Sequence, residues 1–393
     1  MLFSLTFIPF LVILKKCKEV FVFYPQCVGE REKKRTNFSI KKLDCCGKQK
    51  TEKSTTRTSN LNSPTMLLEG HTGPVYTCRF SHDGANLASA GADKQVLIWH
   101  VYGDCENHTV LKGHTNSILQ LQWSGGDEYL FTSSADKTVS IWDVEYGARI
   151  KKIKSHMSFV NSVSPTKKGT QFLATGSDDG SAKIFDIRMK PPLKTFDCTY
   201  QVTAVALSDN ALKLYTGGID NVIKVWDGRK SHKPLSYLHG HKETITSLSL
   251  SMDGKYLLSN GMDGCIRVWD IQPFVSGRVS DADKPNPTEN DDDNKDSLNK
   301  FLKESDERCK KVLFGPLHGT EKLLIKANWS KDANRIVSGS SDKCAYVLDV
   351  WGGQVLYKLP GHTGSCNEVD IHPFEPIIVS ASSDKTLFLG ELF

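Results

Sequence analysis

GHTNSILQLQWSGGDEYLFTSSADKTVSIWD (113–143) contains its own ruler. A Gly-His pair opens it, and Asp136 follows His114 by 22 residues. A hydroxyl, Thr132, stands four residues before that Asp, and an indole, Trp142, six residues after it. The same offsets recur along the chain. Gly70-His71, Gly240-His241 and Gly361-His362 lead to Asp93, Asp263 and Asp384, and looser copies run from His156 to Asp179, Tyr200 to Asp220 and His318 to Asp342. Each of the seven aspartates has its hydroxyl: Ser89, Thr132, Thr175, Thr216, Ser259, Ser338 and Ser380.

Successive aspartates lie 43, 43, 41, 43, 79 and 42 residues apart. The long interval is one period plus a surplus of about 36 residues, VSGRVSDADKPNPTENDDDNKDSLNKFLKESDERCK (275–310). That stretch is acidic at its centre, poor in apolar residues and punctuated by Pro, the composition of a flexible loop. Between these marks run short segments such as TVSIWDV, IKVWD and IRVWD, alternating in polarity and separated by Gly/Asp/Asn clusters. SADK, GIDN and GMDG are tight-turn sequences in which Asp or Gly tolerates the backbone dihedrals. Four short strands per 40–45 residues, marked GH and WD, predict an all-β, seven-bladed WD-repeat (WD40) β-propeller over 64–393.

Each repeat begins with the strand that precedes its GH, as in TVLKGH (109–114), and that strand is the outer edge of the preceding blade. The last blade, ending in ASSDKTLFLGELF (381–393), therefore has three strands of its own, while PTMLLEGH (64–71) has no blade before it. Pairing the two closes the ring and removes an exposed edge.

A recurring Ser/Thr, His and Asp invites comparison with a hydrolytic triad. An enzyme needs one such set, and this chain repeats it in every blade. A structural chain of hydrogen bonds is expected instead, with the indole N–H donating to the hydroxyl, the hydroxyl to His and His to Asp. It should form in His71/Ser89/Asp93/Trp99, His114/Thr132/Asp136/Trp142 and His241/Ser259/Asp263/Trp269. The blade with no His, and the blades that lack Trp, should be locally softer. No phosphate loop, HExxH or GxSxG occurs, so no catalytic residue, metal ligand or cofactor is assigned. His82, His108 and His372 read as surface or turn residues.

Charge is uneven. Residues 1–65 carry 13 Lys/Arg against 5 Asp/Glu, whereas residues 66–393 are net −3, which argues against a basic nucleic-acid-binding ring. The eleven cysteines show neither a CxxC nor a repeated spacing, so reduced thiols are expected. Residues 1–63 read as a largely disordered arm. Its apolar start, MLFSLTFIPFLVILKK (1–16), is too short to span a membrane and lacks basic residues ahead of the run. A signal or anchor and a foreign first exon both stay open for residues 1–30. REKKRTNFSIKK (31–42) fits a nuclear-localisation pattern.

A propeller alone does not give a function, and binding is its default role. Phe159, Tyr200 in place of the usual His, Ile219 and Met262 put large apolar groups in turns on the face of the GH loops, as protein-contact anchors do. Beyond the repeat marks, VYGDCENHTVLKGH (101–114), SFVNS (158–162), CTYQVTAV (198–205), GGIDNVIKVWD (217–227), YLLSNGMDG (256–264) and LYKLPGHTGSCNEVDIHPFEPIIVSASSDK (356–385) run in order. Together they resemble the WD-repeat subunits of the U5 small nuclear ribonucleoprotein (snRNP). The resemblance implies a non-catalytic nuclear scaffold of pre-mRNA splicing that binds the large splicing factor Prp8. RNA contact would be indirect, with no membrane and no small-molecule substrate. The acidic insertion and residues 1–30 depart from that family. A different class remains: VWDGR (225–229), and more weakly IFDIR (184–188), resemble the W-D-x-R phrase of substrate receptors in cullin-type ubiquitin ligases, with Arg229 as the adaptor contact.

Overall fold

The computed structural model describes residues 59–392 apart from 170, 190, 231–232, 273–307 and 320–322. Nearer the N-terminus it describes only four short antiparallel strands, Leu11–Val12, Phe21–Val22, Lys41–Leu43 and Gln49–Thr51. The disorder expected of the arm, its basic stretch and the DDD run of the insertion thus fall largely outside the described residues.

Seven four-stranded antiparallel sheets stand around one axis. In blade two the strands run Ile118–Trp123, Tyr129–Ser134, Val139–Asp143 and Ala148–Ile153 from axis to rim. Each blade is sandwiched between neighbours, so the polarity alternation of the third strands does not divide inside from outside. Val139, Ser140, Ile141 and Trp142 are all buried. Rim strands keep the clearest solvent face, as in Asn107–Lys112, where Leu111 is buried between exposed Val110 and Lys112.

Core residues accordingly cluster between blades. Ala88, Ala90, Val96 and Ile98 of blade one pack against Leu121, Trp123, Leu130 and Trp142 of blade two. Around the axis, side chains of one first strand hold backbone amides of the next. Leu121 N donates to Thr77 Oγ1 (3.3 Å), Val163 N to Gln120 Oε1 (2.9 Å), Val205 N to Ser162 Oγ (3.1 Å) and Ala327 N to Ser247 Oγ (3.0 Å). These bonds fix each blade's rotation against its neighbour, because a buried amide left without a partner is costly.

The ring closes as the chain ends imply. Thr65–Glu69 is the rim strand of the last blade, with Phe388 opposite Leu67 and Leu387 opposite Leu68. In blade five the insertion leaves the sheet after Asp270 and returns at Cys309–Phe314, which pairs back onto Cys265–Asp270. Cys309 and Lys310, counted above with the insertion, therefore belong to the rim strand. CKKVLF alternates in burial, and Lys310 Nζ lies 3.7 Å from Asp270.

In the turns after the second strands, the left-handed residue is not the Asp but the one after it. Lys94, Lys137, Asn221, Lys343 and Lys385 have φ between 63° and 74°, and Gly180 and Gly264 hold the same place. Asp stabilises this turn by accepting the amide two residues on, as Asp136 Oδ1 does from Thr138 N at 3.0 Å.

Candidate functional site

In blade two Trp142 Nε1 donates to Thr132 Oγ1 (2.8 Å), Thr132 lies 2.7 Å from His114 Nε2, and His114 Nδ1 lies 2.9 Å from Asp136. Blade one places Trp99, Ser89, His71 and Asp93 at 2.9, 2.7 and 2.6 Å in the same order. Blade five places Trp269, Ser259, His241 and Asp263 at 2.8, 2.6 and 3.2 Å. The Asp–His–Ser geometry is that of a triad, but Ser89 is fully buried and its oxygen is occupied by the Trp99 N–H. No substrate carbonyl reaches it.

Burial alone would raise these carboxyls. Hydrogen bonds from His114 and Thr138 outweigh it at Asp136 and hold that group well below the usual range. At Asp263 the contribution of His241 does the same, to about 2. Each Asp also accepts an amide from the loop beside its His, including Thr115 N to Asp136 (3.2 Å) and Lys242 N to Asp263 (3.1 Å). The set therefore clamps two loops on one face of the ring.

Three histidine readings need correcting. The histidine place of blade four is taken by Cys198, 22 residues before Asp220, and not by Tyr200. Cys198 is buried with Sγ 3.8 Å from Thr216 Oγ1, while Asp220 turns to Lys224 (2.7 Å). In blade six His318 does not reach Asp342. Two extra residues in its loop move it next to Asn260 Oδ1 (3.3 Å), and Asp342 bonds Tyr346 (2.5 Å) and Lys358 (2.7 Å) instead. His372 is buried, not a surface residue, and its Nε2 meets the Gly84 carbonyl of blade one at 2.9 Å.

On the clamped face Phe159, Tyr200 and Ile219 are exposed, at 44%, 61% and 47%, while Met262 is half-buried. Backbone bonds join the loops that carry them: Asp178 N donates to Phe159 O, and Ile219 N to Gln201 O. Lys224 Nζ sits 5.9 Å above the Tyr200 ring. Met157, at 82% exposure, belongs to the same loop as Phe159, and no offset marks it in the sequence because it sits directly after the clamped His156. Arg229 lies on the opposite face, in the turn after Asp227, and points to solvent with Nε 3.3 Å from that carboxylate. Among the described residues no group of three His, Cys, Asp or Glu side chains is placed to hold a metal ion.

Seven four-stranded blades, five of them with a hydroxyl–His–Asp clamp, define a WD-repeat protein, and the sequence model of the WD domain, G-beta repeat matches residues 62–100, 105–143, 147–186, 190–227, 232–270 and 353–389. The region left unmatched contains blade six, where the His has left its place. Within this class the chain belongs to the family of U5 small nuclear ribonucleoprotein 40 kDa proteins. It is 49% identical over 337 residues to the human member, 86% of each chain, and 44% identical over 338 residues to that of Dictyostelium discoideum, 86% of this chain and 87% of that one. The pre-mRNA-splicing factor cwf17 of Schizosaccharomyces pombe is 40% identical over 336 residues, covering 86% of this chain and 90% of its own.

Proposed function

We propose that the chain is a non-catalytic scaffold of the U5 snRNP that acts in pre-mRNA splicing in the nucleus and docks on Prp8. The observation that carries this reading is the 49% identity across 86% of both chains, which extends well beyond the repeat marks. Docking is assigned to the clamped face at blades three and four, where Met157 and Phe159 present apolar surface beside the His156–Asp179 pair, and Tyr200 and Ile219 on loops joined by the Ile219 N to Gln201 O bond. Aromatic anchors have few rotatable bonds, lose little entropy on binding and dominate interface energies.

Affinity purification of the tagged full chain from nuclear extract tests it. Prp8 and U5 RNA are expected together, and Tyr200→Ala combined with Ile219→Asp should reduce Prp8 recovery at least about tenfold, the loss of two interface anchors. Recovery of a cullin adaptor in place of Prp8, abolished by Arg229→Ala, would replace this reading with the ligase receptor.

A further inference from the structure

On the face opposite the clamped loops, the axial channel opens into a cavity of about 210 Å³ whose walls include Arg79, Trp123, Lys167, Met252, Trp329 and Asp370. Both indole N–H groups are already used, Trp123 on Arg79 O (3.0 Å) and Trp329 on Ser249 O (3.1 Å), which leaves the rings as apolar walls. Arg79 is also engaged, 3.3 Å from Glu368 and 3.4 Å from Asp370.

Lys167 is different. From blade three it reaches past blade four to blade five, and among the described residues its ammonium finds only the Leu250 carbonyl (3.1 Å) and the Met252 sulfur (3.5 Å). The carboxylates nearest in effect, Asp209 and Asp253, form no ion pair with it. Burial, which these carboxylates do not offset, pushes its pKa down to about 8. Lys167 is half-buried, and a partly desolvated cation without a counter-ion is a costly arrangement that an anion relieves. At the rim Lys331 is held 3.6 Å above the exposed Phe374 ring. The charged lining thus comprises Arg79, Lys167 and Lys331 against Asp370, with His82 tied to Asp127 at 2.9 Å.

We propose that this mouth receives one aspartate or glutamate side chain from a partner protein, its carboxylate meeting Lys167 between the two tryptophan rings. Size favours a side chain over a nucleic-acid strand. At about 210 Å³ the cavity is smaller than the roughly 300–1,000 Å³ of small-molecule pockets, which suits a single side chain. The mouth lies on the face away from Phe159 and Tyr200, so this contact stands or falls separately from docking there.

The test uses the full chain, with the indole NMR signals of Trp123 and Trp329 followed during titration. The probes are acetyl-Gly-Glu-Gly-amide, its Gln counterpart and an oligouridylate. The proposal expects a saturable shift with the Glu peptide and at least tenfold weaker binding of the Gln peptide. It also expects at least tenfold weaker Glu-peptide binding by Lys167→Gln, with recovery in Lys167→Arg, which keeps the charge and serves as the control for folding. Equal response to both peptides, no saturable response, or unchanged binding by Lys167→Gln overturns it. Displacement of the Glu peptide by the oligouridylate at lower concentration overturns it in favour of a phosphate site.

Discussion

Glu368 and Asp370 stand two residues apart on one strand, both buried and both facing blade one, yet their protonation differs. Burial raises both. At Glu368 the charges of Lys326 and Arg79 outweigh it and the pKa falls, whereas at Asp370 burial prevails over Arg79 and the Phe80 amide and the pKa rises to about 6. A carboxyl with a raised folded-state pKa contributes stability that is complete below its unfolded value and lost as pH climbs through the folded one. Asp370 therefore works against the fold at neutral pH by at most about 3 kcal/mol, two units at 1.36 each. Asp370→Asn can still accept the Phe80 amide (3.0 Å) and should lose that dependence. In urea unfolding its stability relative to wild type should rise between pH 4 and 6 and then level off. A constant difference across that range would show that Asp370 titrates normally. None of this is legible in the sequence, because Arg79 and Asp370 are 291 residues apart and meet only when the ring closes.

At the scale of the element, the blades differ in how their turns are held. In blades two and five the Asp accepts amides from both its own turn and the His loop: Thr138 and Thr115 on Asp136, Cys265 and Lys242 on Asp263. In blade four Asp220 is drawn to Lys224 and no His faces it. Local opening governs amide exchange, so the Val222 amide, the counterpart of Thr138, should exchange at least about tenfold faster than Thr138 or Cys265. Asp136→Ala should bring Thr138 to the blade-four rate and leave Cys265 unchanged, as read by hydrogen–deuterium exchange. Equal rates in all three blades would mean that the clamps do not stiffen the turns. Fixed offsets made the complete clamps readable, since one turn geometry sets the spacing of hydroxyl, His and Asp. Cys198 escaped because it fills the place with a different side chain, and His318 because a loop two residues longer moves it while leaving the letters in order. The mouth at Lys167 escaped for another reason: its lining comes from separate blades, and no local pattern records that convergence.

For the whole molecule the decisive joint lies between the last blade and the first. Thr65–Glu69 pairs with Thr386–Glu391, and the segment ahead of it is tied down too: Ser59 N donates to Glu391 (2.8 Å), Asn60 Nδ2 to Glu375 (2.9 Å) and Asn62 Nδ2 to Asp104 (2.9 Å). Leu61 and Leu68 enter the core shared with Val101, Leu387 and Leu389. Leu67 is on the other face of its strand and is 48% exposed. If the ring is closed by this strand in this register, Leu67 and Leu68 must respond oppositely to a charge. Leu68→Asp loses about 1.5–3 kcal/mol of apolar burial and adds the cost of placing a carboxylate in the core. Leu67→Asp, at the surface, should stay within about 0.5 kcal/mol of wild type. With Leu68→Asp the edge of Thr386–Glu391 also loses its cover, and an uncovered edge pairs with other chains. Urea midpoints and gel filtration should therefore show a destabilised, self-associating Leu68→Asp beside a monomeric, wild-type-like Leu67→Asp. The reverse order would mean a register slipped by one residue, since a one-residue slip exchanges the two faces. Equal and small effects would mean that the N-terminal strand is not what closes the ring.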